Sequence, residues 1–121
     1  MKAEAAKDRT WDLSVAITGA GGSGAVTAGL ILLDAAAKAG LYGLMTRSAG
    51  PQIRGGESAS LLRLADAPVG CIGDRFGLLL GLDWRNAGRF AQEIPLDAAS
   101  LILGDPASGP VPEAFLTSGA Q

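Results

Sequence analysis

The sequence predicts an α/β fold: a Rossmann-like three-layer sandwich around a mostly parallel sheet, with an incomplete C-terminal end. Three observations carry that expectation. Short apolar runs with strand periodicity alternate with helical patterns along 121 residues, the order that builds parallel sheets. A glycine-rich turn, Gly19-Ala20-Gly21-Gly22-Ser23-Gly24, stands where the first strand hands over to the first helix. Composition is 48% apolar and 18% charged, too apolar for a disordered chain and enough for one core.

Leu13 to Thr18 puts Leu13, Val15 and Ile17 on one face and the smaller Ser14, Ala16 and Thr18 on the other. Both faces of this first strand can therefore be covered. Ala25 to Ala39 follows as a helix, with Val26, Leu30, Leu33 and Ala37 near helical spacing and Gly40 as its stop. Its small residues, Ala28, Gly29, Ala35 and Ala36, allow a close approach of helix to sheet. Leu41 to Arg47 is the second strand. Ala59 to Ala65 is the third, closed by the turn Asp66-Ala67-Pro68.

Phe76 to Leu82 reads as a buried strand. Asp83 is placed to cap a helix from Trp84 to about Glu93, and Pro95 ends it. Leu101 to Leu103 is a short strand before Gly104-Asp105-Pro106, and Pro110 to Phe115 begins one more helix. No internal repeat is present. The last edge of such a sheet needs another chain to cover it.

Bulk chemistry excludes several classes. Net charge is -2 and the pI is near 4.9, which disfavours nucleic acid or an anionic membrane as a partner. There is no histidine, so no His-based triad, base or metal ligand exists within this chain. The one cysteine, Cys71, can form neither an intrachain disulfide nor a four-thiolate iron–sulfur site. It is expected as a small buried residue beside Val69 and Ile72. No apolar run is long enough to span a bilayer, and residues 1–11 lack the apolar stretch of a signal peptide. They are expected as a flexible leader before a domain over 12–121, with the cytoplasm as the compartment.

Two glycine-rich loops hold the functional signal. Gly19-x-Gly21-x-x-Gly24 has the spacing of the dinucleotide fingerprint, in which glycines permit a tight turn, phosphate approach and close helix packing. The acidic residue that would grip a ribose about twenty positions on is missing. Thr46 and Arg47 stand there instead, and Arg47 suits a nucleotide 2′-phosphate. The loop thus admits a dinucleotide, another phosphate-bearing ligand, or only a close helix–strand turn. In the second loop, Ser48 to Ser58, Arg54 is the one full charge between Gly50 and Gly56. Flanking glycines let it reorient to grip carboxylate or phosphate, while Glu57 offers it a plain ion pair.

Taken in order, Ile17-Thr18-Gly19-Ala20-Gly21-Gly22-Ser23-Gly24, Thr27-Ala28-Gly29 and Thr46-Arg47-Ser48-Ala49-Gly50-Pro51-Gln52-Ile53-Arg54-Gly55-Gly56-Glu57-Ser58 resemble the gamma domain of 2-oxoacid:ferredoxin oxidoreductases. The likeness is strongest to the N-terminal region of the 2-oxoglutarate:ferredoxin oxidoreductase alpha subunit. Leu82-Asp83-Trp84 and Leu103-Gly104-Asp105-Pro106 extend it to roughly Leu13 to Pro112. Two positions depart: Ser23 replaces a glutamine, and Ala49 replaces an aromatic. The family domain is longer, and in the alpha subunit a thiamine-related domain follows it, so the resemblance implies a truncated chain or a separately encoded piece.

The resemblance implies a subunit of a heteromeric complex. Such complexes decarboxylate a 2-oxoacid such as 2-oxoglutarate on thiamine diphosphate with Mg2+ and pass electrons through 4Fe–4S clusters to ferredoxin. They yield acyl-coenzyme A (acyl-CoA) and carbon dioxide, reversibly. It also implies that other chains hold those cofactors, and that this domain lies over the active site and affects coenzyme A (CoA) access while being inactive alone. On this reading Gly19, Gly21, Gly22, Ser23 and Gly24 present backbone amides to a CoA phosphate or a partner loop. Arg54, with Gly55 and Gly56, neutralises an anion, and no residue of this chain is catalytic. Two other readings are a free-standing dinucleotide- or phosphate-binding module and a purely structural interface domain built on Leu78-Leu79-Leu80 and Trp84. Trp84 itself is expected as a core residue.

Overall fold

The computed structural model describes residues 11–19, 24–49, 58–73, 75–84, 87–91 and 93–121. Five strands form one sheet: β1 (Asp12–Gly19), β2 (Tyr42–Ala49), β3 (Ser58–Ala65), β4 (Leu78–Gly81) and β5 (Leu101–Gly104). Their spatial order is β2-β3-β1-β4-β5. One long helix, α1 (Ala25–Lys38), connects β1 to β2, and a single-turn helix, α2 (Glu113–Leu116), follows β5.

The sheet is mixed rather than mostly parallel throughout. β4 and β5 pair parallel to β1 and to each other, but β3 runs antiparallel to both β1 and β2. The reason is local. β3 follows β2 through a short loop, so it must return alongside it, and a parallel partner would need a long crossover. Four of the five strands still point the same way.

Alternation on β1 divides the core as its sequence requires. Val15 and Ile17, almost fully buried, pack with Ala25 and Leu62 beneath α1, together with Ala28, Leu33, Met45, Leu78 and Leu80. Ala16, Ala59, Leu61 and Leu79 face the other way, onto Phe76, Trp84, Phe90, Ile94 and Phe115. This second layer is mostly irregular chain. Among the described residues a 3-10 turn, Ala87–Phe90, stands where a helix from Trp84 to about Glu93 was expected. Phe90, Ile94 and Phe115 each keep 1% of their surface exposed, so packing rather than helix length closes this face.

α1 ends as its sequence specifies. Gly40 takes φ 86°, and the Gly40 and Leu41 amides return to the Ala37 and Ala36 carbonyls, a left-handed cap that disfavours side chains. Two expectations fail. Cys71 is exposed, on the irregular stretch after β3, with Arg63 Nη1 donating to its carbonyl at 3.1 Å. Its neighbour Ile72, not Cys71, packs against the core from this stretch. Leu78-Leu79-Leu80 is core rather than assembly surface: Leu79 is fully buried, and Leu78 and Leu80 pack toward α1.

Candidate functional site at the carboxyl edge of the sheet

Register brings the two glycine loops together. Gly19 ends β1 directly opposite Ser58, which begins β3, and Ser58 is opposite Ala49, which ends β2. The first loop therefore leaves the sheet from the strand beside the one that the second loop enters. Antiparallel neighbours lie about 5 Å apart, so both loops rise from one edge. Of the sequence-derived site residues, Gly19 and Gly24 are described. Gly21, Gly22, Ser23, Arg54, Gly55 and Gly56 lie outside the described residues, as does Glu57.

Gly24 shows why glycine is required there. It takes φ 91° and ψ 14° immediately before α1, a conformation that costs an L residue roughly 1–2 kcal/mol. A Cβ at this position would meet nothing within 4 Å, so the requirement is conformational rather than steric. Among the described residues no side chain caps the first turn of α1, and no acidic residue lies in that turn. Its first amides and the positive end of the helix dipole lie at Gly24 and Ala25. Ser60 on β3 fixes this turn: its buried hydroxyl donates to the Ala25 carbonyl at 3.0 Å. Gly29 allows the approach, since a Cβ there would lie 3.0 Å from Ser60 Cβ and 3.1 Å from Met45 Cε.

The other half of the edge centres on Trp84. Thr18 pairs with Gly81, and Gly81 with Gly104. The Trp84 indole lies over both glycines, close enough that a Cβ on Gly104 would sit 2.7 Å from Nε1. A Cβ on Gly81 would fall inside the ring's contact distance. Trp84 keeps 4% exposure and packs its ring against Phe115, with centroids 6.3 Å apart. It is a core residue, as its sequence context suggested. The sequence reading missed the glycines beneath it, although the signal was present: β1, β4 and β5 all end in glycine.

Charge is distributed unequally between the two sheet ends. At the amino edge, Arg63 grips Asp12 through two bonds of 3.0 and 2.7 Å. Arg75 grips Asp97 through bonds of 2.6 and 2.9 Å. The Asp12 hydrogen bond raises the Arg63 pKa further above its ordinary value, and the Arg75 guanidinium lowers that of Asp97. At the carboxyl edge, Arg47 of β2 is exposed and has no ion pair or hydrogen bond among the described residues. Among the described residues no cluster of three metal-ligating side chains occurs, and no helix is long and apolar enough to cross a membrane. A chain with one cysteine and no histidine does not fit a four-thiolate cluster.

An α/β domain with two glycine-rich segments meeting the carboxyl edge of its sheet is the class that the fold defines. The chain belongs to the pyruvate ferredoxin/flavodoxin oxidoreductase family, whose model matches residues 14–113. No curated protein matches it. Among solved structures it is similar to 2-oxoglutarate:ferredoxin oxidoreductase from Magnetococcus marinus, solved with 2-oxoglutarate, CoA and succinyl-CoA bound. That match has a TM-score of 0.70 and 24% identity, and covers 84% of this chain and 18% of that one. The gamma subunit of a keto/oxoacid ferredoxin oxidoreductase from Geobacter sulfurreducens matches at a TM-score of 0.63 and 26% identity, over 83% of this chain and 55% of that one. The PORC subunit of pyruvate oxidoreductase from Thermotoga maritima matches at 0.63 and 18% identity, over 90% and 58%. This chain spans less than two thirds of each.

Proposed function

We propose that residues 12–121 are a gamma-type domain of a 2-oxoacid:ferredoxin oxidoreductase complex, preceded by a leader over 1–11. The complex would oxidatively decarboxylate a 2-oxoacid such as 2-oxoglutarate, transfer the acyl group to the CoA thiol, release carbon dioxide and pass electrons to ferredoxin. Thiamine diphosphate, Mg2+ and the 4Fe–4S clusters would belong to partner chains in the cytoplasm, and this chain alone would be inactive. Its own task would be to cover the active site and guide CoA.

The observation that carries this reading is the Gly19–Ser58 pairing in a chain of this family. It sets both glycine loops on one sheet edge. Gly19, Gly21, Gly22, Ser23 and Gly24 would present amides to a CoA phosphate, reinforced by the uncapped first turn of α1. Arg54, with Gly55 and Gly56 beside it in sequence, would neutralise a substrate or cofactor anion. The free dinucleotide module gains no such support. β3 lies between β1 and β2, so the end of β2 stands two strand spacings, roughly 10 Å, from the glycine loop rather than one. A ribose contact of the usual kind is lost.

The test is Arg54→Ala in the assembled complex. Loss of one charge-assisted contact is expected to raise the KM for CoA about tenfold or more with the fold intact. Unchanged CoA kinetics would remove Arg54 from the site.

A further inference from the structure

β2 is the outer strand on its side of the sheet, and among the described residues it pairs with β3 alone. Its other edge is a row of backbone N–H and C=O groups, a template for one more strand. We infer that this edge pairs antiparallel with β2 of a second copy of the chain, about a twofold axis normal to the sheet at Met45, so that two sheets join into one. The inference is independent of the CoA reading above.

Natural sheets guard their edges with proline, lysine, bulges or a covering segment. β2 has none of the first three. It keeps unbroken register with β3 from Tyr42 to Ala49, and Tyr-Gly-Leu-Met-Thr-Arg-Ser-Ala holds no proline, no lysine and one charge, Arg47. Beside this edge a groove of about 350 Å³ opens between β2 and α1, lined by Val26, Leu30, Leu33, Met45, Thr46 and Arg47. Leu30 keeps 54% of its surface exposed. The two charges of α1, Asp34 and Lys38, already pair with each other at 3.1 Å. The flank of the helix above β2 is therefore apolar, and nothing charged must be desolvated there except Arg47.

Shape and charge favour a second copy over a foreign strand. A foreign strand added to β2 lies level with the sheet and leaves Leu30, in the layer above, bare. A second copy brings its own α1 on the same face, because a twofold axis normal to the sheet preserves both faces. Gly29 lies over Met45, whose Cε is 3.1 Å from where a Cβ on Gly29 would stand. An axis at Met45 thus turns Leu30 toward Leu30 of the second copy. In that register Leu44 faces Thr46, and Arg47 faces Gly43, of the second copy. Gly43 has no side chain, and Leu33 lies directly above it, so the aliphatic stem of Arg47 gains an apolar seat. The two Arg47 residues are offset along the strands by roughly 13 Å. A step of the axis to Thr46 would cut that offset to roughly 7 Å and set like charges closer. A step to Leu44 would shorten the pairing from Tyr42–Ser48 to Tyr42–Thr46.

The test is sedimentation equilibrium of the full chain over a concentration series, where a monomer–dimer equilibrium is expected. Leu30→Glu and, separately, Thr46→Lys change exposed residues. Each should raise the dimer dissociation constant about tenfold or more and leave the circular dichroism of the monomer unchanged. Cysteine pairing reads the register. In a Cys71→Ser background, Leu44→Cys chains mixed with Thr46→Cys chains should form a disulfide-linked dimer on mild oxidation, since directly opposed residues lie within disulfide reach. Either chain alone should crosslink far less. A chain that stays monomeric throughout, or a dimer indifferent to both Leu30→Glu and Thr46→Lys, would overturn the inference. So would a dimer whose mixed cysteine chains fail to crosslink. None of these results bears on assembly with thiamine- and cluster-bearing chains, which has its own test.

Discussion

Gly19 and Ser58 face each other across β1 and β3, and with Ala49 opposite Ser58 they bring both glycine-rich loops to one edge of the sheet. Neither loop is unusual alone. On the proposed reading, their shared sheet edge is what lets the amides of one and Arg54 of the other act on one ligand.

Gly24→Ala should destabilise the fold by about 1–2 kcal/mol, because its φ of 91° is strained for any Cβ-bearing residue. Gly24→Asn should cost less, since asparagine tolerates this region. Urea denaturation of the three forms measures the order. An alanine variant as stable as the parent would mean that this turn relaxes.

Gly104→Ala places a methyl 2.7 Å from Trp84 Nε1, so the ring must shift. Overpacking of this kind costs typically 1–3 kcal/mol, and Trp84 fluorescence should change with it. A variant with parental stability and emission would show that Trp84 does not rest on Gly104.

Much of this arrangement was legible in the sequence. The limits of β1, β3 and β5 and of the helix expected over Ala25 to Ala39, with its Gly40 stop, follow to within one residue from alternation, helical spacing and capping. The antiparallel course of β3 did not follow, because a buried strand has the same apolar pattern whichever way it runs. The expected helix after Trp84 shrinks to a 3-10 turn at Ala87–Phe90. There the apolar residues Phe90 and Ile94 are drawn individually into the core, and tertiary packing overrides a weak local preference. Arg47 and the two loops were visible by composition, but which strands would stand side by side was not. Sequence spacing carries no record of the register between distant strands.

Thr18 is fully buried, and its Oγ1 has no hydrogen-bond partner among the described residues. Burying an unsatisfied hydroxyl costs about 1–3 kcal/mol. Thr18→Val should therefore raise stability, by about 1 kcal/mol, read as an increase in the denaturant midpoint. A loss of stability instead would show that the hydroxyl is bonded in solution.

The Arg75–Asp97 pair gives a pH signature. The Asp97 pKa is lowered, first by the Arg75 hydrogen bond and then by the Ala99 amide. A lowered folded-state pKa contributes stability that is present above the unfolded carboxylate value, about 3.9, and fades as pH falls through the folded value. Asp97→Asn keeps an acceptor for Ala99 but loses the ion pair. Its thermal midpoint should lie below the parent's near neutral pH and converge with it in acid below about pH 4. A pH-independent gap would contradict the assignment.

On the proposed function this chain works inside a 2-oxoacid oxidoreductase complex. Native mass spectrometry of the protein recovered anaerobically from its own cells tests it most directly. The account requires a heteromeric mass whose partner chains carry thiamine diphosphate and iron–sulfur clusters. A lone monomer or homodimer without such partners would contradict it.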